Sequence, residues 1–553
     1  MPITDFLIKN ARELGDEIAI TEINPELPER EQPSWREFDL VEGDHDEAYR
    51  REISWEDFNR RANRFAHLLL ANGVGKGDKV AVLLMNCLEW LPVYFGILKA
   101  GALAVPLNYR YTADEIKYCL DLSDASLLIF GKEFIERVDA IKDDIPKVNK
   151  LYYVGGHCPK FAQSYYKFIS YCSSREPGIE ITDDDFGAIY FSSGTTGFPK
   201  AILHRHRSLM HACVVEQKHH SQARDDKFLC MPPLYHTGAK MHWFGSLLSG
   251  SPAVLLRGIT PKWIFETISQ EHVTIVWLLV PWAQDILDAI ERGEIKLEDY
   301  ELAQLRLMHI GAQPVPPSLI DRWMKYFPTH EYDTNYGLSE SIGPGCVHLG
   351  VENIRKVGAI GVPGYGWEVK ITDEAGVTVK NGEVGELAVR GDGVMECYYH
   401  DEAATREVLR DGWLFTGDMA RADGEGFIYL VDRKKDVIIM GGENIYPVQI
   451  EDHLRGCELV KDVAVIGRAH ERLGEIACAI VEPKPDVNCT EEDIARFCES
   501  LPRYKRPREI IFDTVPRNPT GKIEKPKLRE KYGSLNVVAK QTGAANGDLK
   551  PLA

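Results

Sequence analysis

Short, unbroken apolar runs alternate with longer stretches of helical spacing from about residue 52 to about residue 340. Lys79-Val80-Ala81-Val82-Leu83-Leu84 has no polar residue after its lysine, which predicts a strand covered on both faces. Residues 88–99 predict the helix that follows, and residues 102–106 the next strand. The same rhythm returns at 125–130, 186–191, 228–231, 253–256, 273–278, 305–310 and 331–335. Strand, helix, strand at this spacing favours parallel pairing, because a helix-length crossover returns the chain in the same direction. The expected fold class is therefore α/β, with a large N-terminal domain of two parallel-rich, helix-covered sheets.

In such sheets ligands collect at the carboxyl ends of the strands. Four polar loops, at 192–200, 232–238, 311–314 and 336–340, each follow a predicted strand and are expected to share one edge. Between about 355 and 431 the pattern changes to short alternating segments at 367–371, 386–389 and 427–430. Gly, Asp and Asn turns separate them, so a small antiparallel unit is expected. Beyond it, strands at 436–440, 463–468 and 476–482, a helix after Pro447 and another near Thr490 predict a small, separate α+β domain. The expected division is 1–433 for the N-terminal domain, 434–533 for the C-terminal domain and a disordered tail at 534–553.

The 553 residues are 44% apolar and 27% charged, an ordinary globular balance. A net charge of −19 argues against a broad nucleic-acid surface. No stretch approaches the roughly 18 apolar residues of a membrane span. Twelve cysteines are scattered from Cys87 to Cys498 without a Cys-x-x-Cys pair, so reduced thiols and a cytoplasmic location are expected.

The chemistry lies in the loops. Tyr190 to Lys200 read Y-F-S-S-G-T-T-G-F-P-K. Gly194 and Gly197 let successive backbone N–H groups turn inward as an anion nest. Ser192, Ser193, Thr195 and Thr196 add hydroxyls and Lys200 a point charge, the equipment of a phosphate site. No Gly-Lys-Ser/Thr follows, so the loop is not a Walker A motif. Asn335-Tyr336-Gly337-Leu338-Ser339-Glu340 offers a ring for a base, a hydroxyl for phosphate and a carboxylate for Mg²⁺. Asp418, just past a glycine turn, can accept both hydroxyls of a ribose. The run Asp432-Arg433-Lys434-Lys435-Asp436 reads equally as a solvated linker or a hinge. Gly441-Gly442-Glu443 suggests close backbone approach, and Lys522 stands on a Pro/Gly-rich loop.

Together these motifs resemble the adenylate-forming superfamily of acyl-CoA synthetases and 4-coumarate-CoA-ligase-like enzymes, over about residues 50–533. The resemblance implies that ATP and a carboxylic acid, fatty or aryl, give acyl-AMP and pyrophosphate, and that the acyl group passes to CoA. It implies an ATP site of Ser193, Gly194, Thr195, Thr196, Gly197, Lys200, Gly311, Ala312, Gln313, Asn335, Tyr336, Gly337, Ser339, Asp418, Arg433 and Lys522. Lys522, Glu340 and Lys200 are the implied catalytic residues, with Glu340 and Thr196 on Mg²⁺. Lys435 falls at the hinge position, which implies that the small α+β C-terminal domain is mobile, and Gly441, Gly442 and Glu443 fall at the CoA strand. Ala201, Ser339 and Ser192-Ser193 replace the usual Gly, Thr and Thr-Ser, all small and chemically equivalent.

Amino-acid-activating relatives carry an aspartate where this chain has His236 after Tyr235. A histidine cannot supply that negative charge, so amino acids are rejected as substrates. The acid pocket is expected at His236, Trp243, Gly311, Gly337 and Leu338, with the polar side chains of Lys240 and His242 directed to solvent. A competing reading has Lys240 meet a carboxylated tail. Transfer to an acyl-carrier protein, and a non-catalytic nucleotide-binding relic, stand as alternatives to the CoA ligase. A homodimer is allowed but not required.

Overall fold

The computed structural model describes residues 1–27, 49–192, 199–311, 315–441, 443–485, 487–517 and 523–533. The chain folds as two compact units. The first comprises residues 1–382, 387–416 and 422–429; the second comprises 383–386, 417–421 and the chain from 430 onward. The chain thus passes between units several times and is not cut at one point near 433.

The first unit contains both expected parallel-rich sheets. One has eight strands, in the order Cys397–Tyr398, Ala201–Arg205, Phe186–Phe191, Leu103–Pro106, Lys79–Leu83, Leu127–Gly131, Lys150–Val154 and Gln163–Ser164. From Phe186–Phe191 onward its pairs are parallel. The other has seven, in the order Glu331–Asp333, Leu307–Gly311, Ile275–Leu279, Phe228–Cys230, Ala253–Leu256, Ile18–Ile23 and Arg50–Ser54. Helix Trp90–Lys99 is buried along its whole length. It belongs to one apolar core with Val80 and Ile129 of the first sheet and Phe228 and Ile275 of the second.

Two features depart from the pattern-based reading. Ile18–Ile23 and Arg50–Ser54 add an antiparallel pair to the seven-stranded sheet. Their polar residues conceal them: Glu22 lies inside the strand but is buried against Arg51 Nη2 at 2.6 Å. The four loops also do not share one sheet edge. The 192–200 loop joins antiparallel strands Phe186–Phe191 and Ala201–Arg205, while 232–238 and 311–314 follow strands of the other sheet.

Strands Glu368–Thr372, Gly385–Arg390, Leu409–Arg410, Trp413–Ala422 and Ile428–Arg433 form the small sheet expected between 355 and 431. The second unit carries the α+β pattern beyond it. Ile438–Met440, Glu443–Ile445, Val460–His470, Gly474–Pro483 and Glu509–Phe512 form one sheet, accompanied by helices Pro447–Arg455, Glu491–Phe497 and Lys525–Tyr532. Among the described residues no helix is long and apolar enough to cross a membrane.

Candidate active site

The base of the candidate phosphate loop is closed by two hydrogen bonds. Ser192 N–H donates to the Lys200 carbonyl at 3.0 Å, and Lys200 N–H donates to Ser192 Oγ at 3.0 Å. Ser193, Gly194, Thr195, Thr196 and Gly197 lie outside the described residues. Lys200 Nζ stands 4.7 Å from the ring centroid of Tyr398. Tyr398 in turn donates its phenolic O–H to Glu340 Oε1 at 2.8 Å. Burial, and then the Glu340 carboxylate, hold this phenol well above its ordinary pKa, so it remains a donor. Tyr398 is placed by pairing with Ile202 next to the loop strand, a contact no local motif announces.

The 336–340 turn is braced from the same sheet. Burial holds His204 down at about 4, so its ring is neutral. Its Nε2–H then donates to the Ser339 carbonyl at 2.8 Å. Met395 N–H donates to the Glu340 carbonyl at 2.7 Å. Gly337 is required by close approach, since a Cβ there would stand 2.3 Å from the Gly343 carbonyl oxygen. Tyr336 is nearly enclosed, on the short strand Asn335–Tyr336, while Asn335, Leu338, Ser339 and Glu340 are partly exposed.

Trp277, which no motif singled out, joins two further loops. A Cβ on Gly238 would lie 2.8 Å from its ring, and one on Gly311 would lie 3.5 Å from its Nε1. Ala312 and Gln313 lie outside the described residues. His236 is partly exposed and accepts the Gly238 N–H at Nδ1, 3.1 Å away, so a neutral ring carries its proton on Nε2.

Two expectations for the acid pocket are corrected. Lys240 does not reach solvent: it is fully buried and donates to the carbonyls of Leu234 at 2.7 Å and His236 at 3.2 Å. Its Nζ lies 4.6 Å from the Tyr190 ring centroid, 5.2 Å from Trp90 and 5.8 Å from Tyr94. Burial draws this amine well below the ordinary lysine range. Trp243 is likewise fully buried and packs on Phe58 and Phe95, so it fills the core and does not line a pocket. A stretch of mixed polar and apolar residues reads as one-sided, whereas Lys240 is covered by Tyr190 of the eight-stranded sheet and by Trp90 and Tyr94 of the helix Trp90–Lys99, which also supplies Phe95 against Trp243. The side chain of His242 is not among those described.

In the second unit, Asp418 is buried and lies 3.3 Å from Arg433 Nε. Lys435 is exposed; the surrounding protein, and then Arg433, draw its amine down to about 8. Gly441 takes φ of +60° and donates its N–H to Leu473 O at 2.8 Å, and exposed Glu443 follows on the strand Glu443–Ile445. Gly442 and Lys522 lie outside the described residues.

Residues 35–399 match the family model described as AMP-binding enzyme, and residues 449–522 match that of the AMP-binding enzyme C-terminal domain. The chain belongs to the AMP-binding enzyme family. It is 33% identical to the long-chain-fatty-acid–CoA ligase FadD13 of Mycobacterium tuberculosis, over 87% of this chain and 93% of that protein. It is also 33% identical to a feruloyl-CoA synthase of an Amycolatopsis species, over 87% and 94%. Its fold is similar to the crystal structure of the anthranilate CoA ligase AuaEII in complex with anthranoyl-AMP. That match has a TM-score of 0.84 and 25% identity, and covers 96% of this chain and 97% of the other. This AMP-binding enzyme is an ATP-dependent, AMP-forming acyl-CoA synthetase, with a small-molecule acid, ATP and CoA as its substrates.

Proposed function

We propose that the acid is a monocarboxylic acid with an uncharged fatty or aryl tail. The observation that carries this reading is the state of Lys240, the one candidate counter-ion the sequence offered for a second carboxylate. Its amine is committed to two backbone carbonyls and enclosed by three aromatic rings. The relatives named above act on acids of both the fatty and the aryl kind.

In the first half-reaction a carboxylate oxygen bonds to the α-phosphorus of ATP and the bond to pyrophosphate breaks. Lys200 serves the outer phosphates, and Lys522 neutralises charge between the carboxylate and the α-phosphate. The oxygen donors of Glu340 and Thr196 suit Mg²⁺, a hard cation that would offset phosphate charge when bound. Tyr398 orients Glu340 and supports Lys200 through its ring, keeping the two opposite charges apart in the free enzyme. Asp418, with Arg433 beside it, receives the ribose hydroxyls. In the second half-reaction the CoA thiol attacks the acyl carbon, AMP leaves and the thiol proton passes to water. Lys435 is the pivot of the change between the two, and the Gly441-Gly442-Glu443 segment receives the thiol arm.

Pyrophosphate release and thioester formation across fatty, aryl and dicarboxylic acids, with and without CoA, test the reading. Monocarboxylic acids should give both products and outrun their dicarboxylic counterparts. Preference for a dicarboxylic acid would overturn the proposed acid class. Pyrophosphate without thioester would favour a carrier protein as acceptor.

A further inference from the structure

The seven-stranded sheet carries a second group of convergent side chains that the ligase chemistry does not use. In neighbouring parallel strands His309 stands opposite Asp333. Met308 and Tyr332, the adjacent residues, enter the apolar core on one face, so His309 and Asp333 share the other. His220, at the end of helix His206–His219, and His348, on strand Val347–His348, meet them there. All four are buried, none more than 2% exposed.

The distances are those of a coordination site. From Asp333 Oδ2, His220 Nε2 lies at 2.9 Å, His348 Nδ1 at 3.6 Å and His309 Nδ1 at 3.8 Å. Ligand atoms of His220, His309 and Asp333 all fall within 4.8 Å of one another. Ligands about 2.1 Å from a tetrahedral ion stand about 3.4 Å apart, so the hydrogen-bonded His220–Asp333 pair at 2.9 Å must open slightly to admit an ion while His309 closes on it.

His220 and Asp333 share a hydrogen bond that an ion would replace, and the groups around them are those that support a ligand set. Asp333 Oδ1 accepts the backbone N–H groups of Thr334 at 2.7 Å and Gly350 at 2.9 Å, which turns Oδ2 toward the histidines. His220 presents Nδ1 to Glu216 Oε2 at 2.9 Å, the carboxylate–histidine arrangement that fixes a metal-binding tautomer. Buried His348 makes no hydrogen bond through either ring nitrogen among the described residues, although buried polar atoms are nearly always satisfied. Two buried carboxylates, Asp333 and Glu216, balance a divalent charge when the imidazoles are neutral. A cavity of about 200 Å³, lined in part by His219, His220, Arg306 and Glu331, adjoins the group.

We propose that His220, His309 and Asp333, with His348 beside them, form a structural site for a divalent transition-metal ion of the zinc class. Imidazole-rich donors with one carboxylate suit Zn²⁺ and its neighbours, whereas Mg²⁺ and Ca²⁺ take oxygen ligands. The site is distinct from the Mg²⁺ of the ligase reaction. It ties the helix following the phosphate-loop hairpin to the strand that ends in Gly311.

The full-length chain, stripped with a chelator, is reloaded with Zn²⁺ or Co²⁺ in excess Mg²⁺ and passed through a desalting column. One equivalent of metal should be retained. The Co²⁺ form should show the visible ligand-field bands of four-coordinate cobalt without the near-ultraviolet band of a cysteine ligand. Glu216→Gln, which spares every proposed ligand, should weaken retention about 10–100-fold. His309→Gln should abolish it. Failure of the wild-type chain to retain either ion, a six-coordinate or thiolate cobalt spectrum, or unchanged retention in a folded His309→Gln would overturn the proposal. The wild-type measurement decides even where a variant does not fold.

Discussion

Tyr398 connects the two charged groups of the phosphate end: its hydroxyl donates to Glu340 Oε1 at 2.8 Å while its ring lies 4.7 Å from Lys200 Nζ. The lysine and the carboxylate are thereby held near one another without forming the ion pair that would blunt both. A phenol between them gives each a partner that leaves its charge unneutralised. On the proposed reading, phosphate and cation compete for Lys200 and Glu340 against weaker, more readily exchanged contacts.

Tyr398→Phe keeps the ring beneath Lys200 and removes only the bond to Glu340. A hydrogen bond to a charged group contributes about 1.5–3 kcal/mol, so adenylation should slow by roughly 10–100-fold. The Mg²⁺ concentration needed for half-maximal pyrophosphate release should rise. A double-mutant cycle with Glu340→Gln should then give clearly non-additive losses, and additive ones would separate Tyr398 from Glu340.

Lys240→Met leaves the buried carbonyls of Leu234 and His236 without the amine that serves them. Denaturant unfolding should report a loss of about 1–3 kcal/mol. KM for the acid should rise through loosening of the 234–238 loop, equally for mono- and dicarboxylic acids. A loss confined to dicarboxylic acids would make Lys240 their counter-ion after all.

Arg51 is enclosed with Glu22 and Glu89, at 2.6 and 3.0 Å. Burial alone would raise the Glu89 carboxyl, but Arg51 and Arg61 outweigh it and hold the group down at about 2. With a folded value below the ordinary 4.5, Glu89 stabilises the protein above about pH 4.5. That contribution is lost as pH falls toward about 2. Arg51→Met removes the partner that Glu22 and Glu89 share, leaving them to Arg257 and Arg61, and should cost about 3–5 kcal/mol at neutral pH. The cost should shrink on acidification; a pH-independent difference would contradict the ionic account.

Lys435 has the opposite pH window. Its folded value of about 8 lies below the ordinary 10.5, so the unfolded chain binds the proton more tightly. Lys435 therefore contributes stability that is complete above about pH 10.5 and is lost as pH falls through about 8. Because its side chain is exposed, solvent moderates the size of the effect. Lys435→Met should gain stability relative to wild type at neutral pH, with the gain fading toward about pH 10. A difference constant with pH would return Lys435 to an ordinary surface lysine.

Much of the scaffold was legible in the chain because its strands are buried on both faces. Lys79–Leu83, Phe186–Phe191 and Ala253–Leu256 stand almost where unbroken apolar runs placed them. Ile18–Ile23 escaped because Glu22 breaks the apolar run, and its compensation by Arg51 comes from another strand. The phosphate and Asn335–Glu340 motifs stand out as candidates for a different reason: each is a run of consecutive residues.

By itself the sequence determined most of the doubly buried strands and, through its motifs, the kind of enzyme. Tertiary structure alone decided that Tyr398 meets Glu340, that Trp277 backs both Gly238 and Gly311, and that Lys240 turns inward. It alone gathered His220, His309, Asp333 and His348 around one point. The reason is range: periodicity records which face of an element avoids water, but not which distant side chain covers that face. A hydrogen bond or a coordination site depends on the identity and angle of that partner, and these exist only once the sheets have packed.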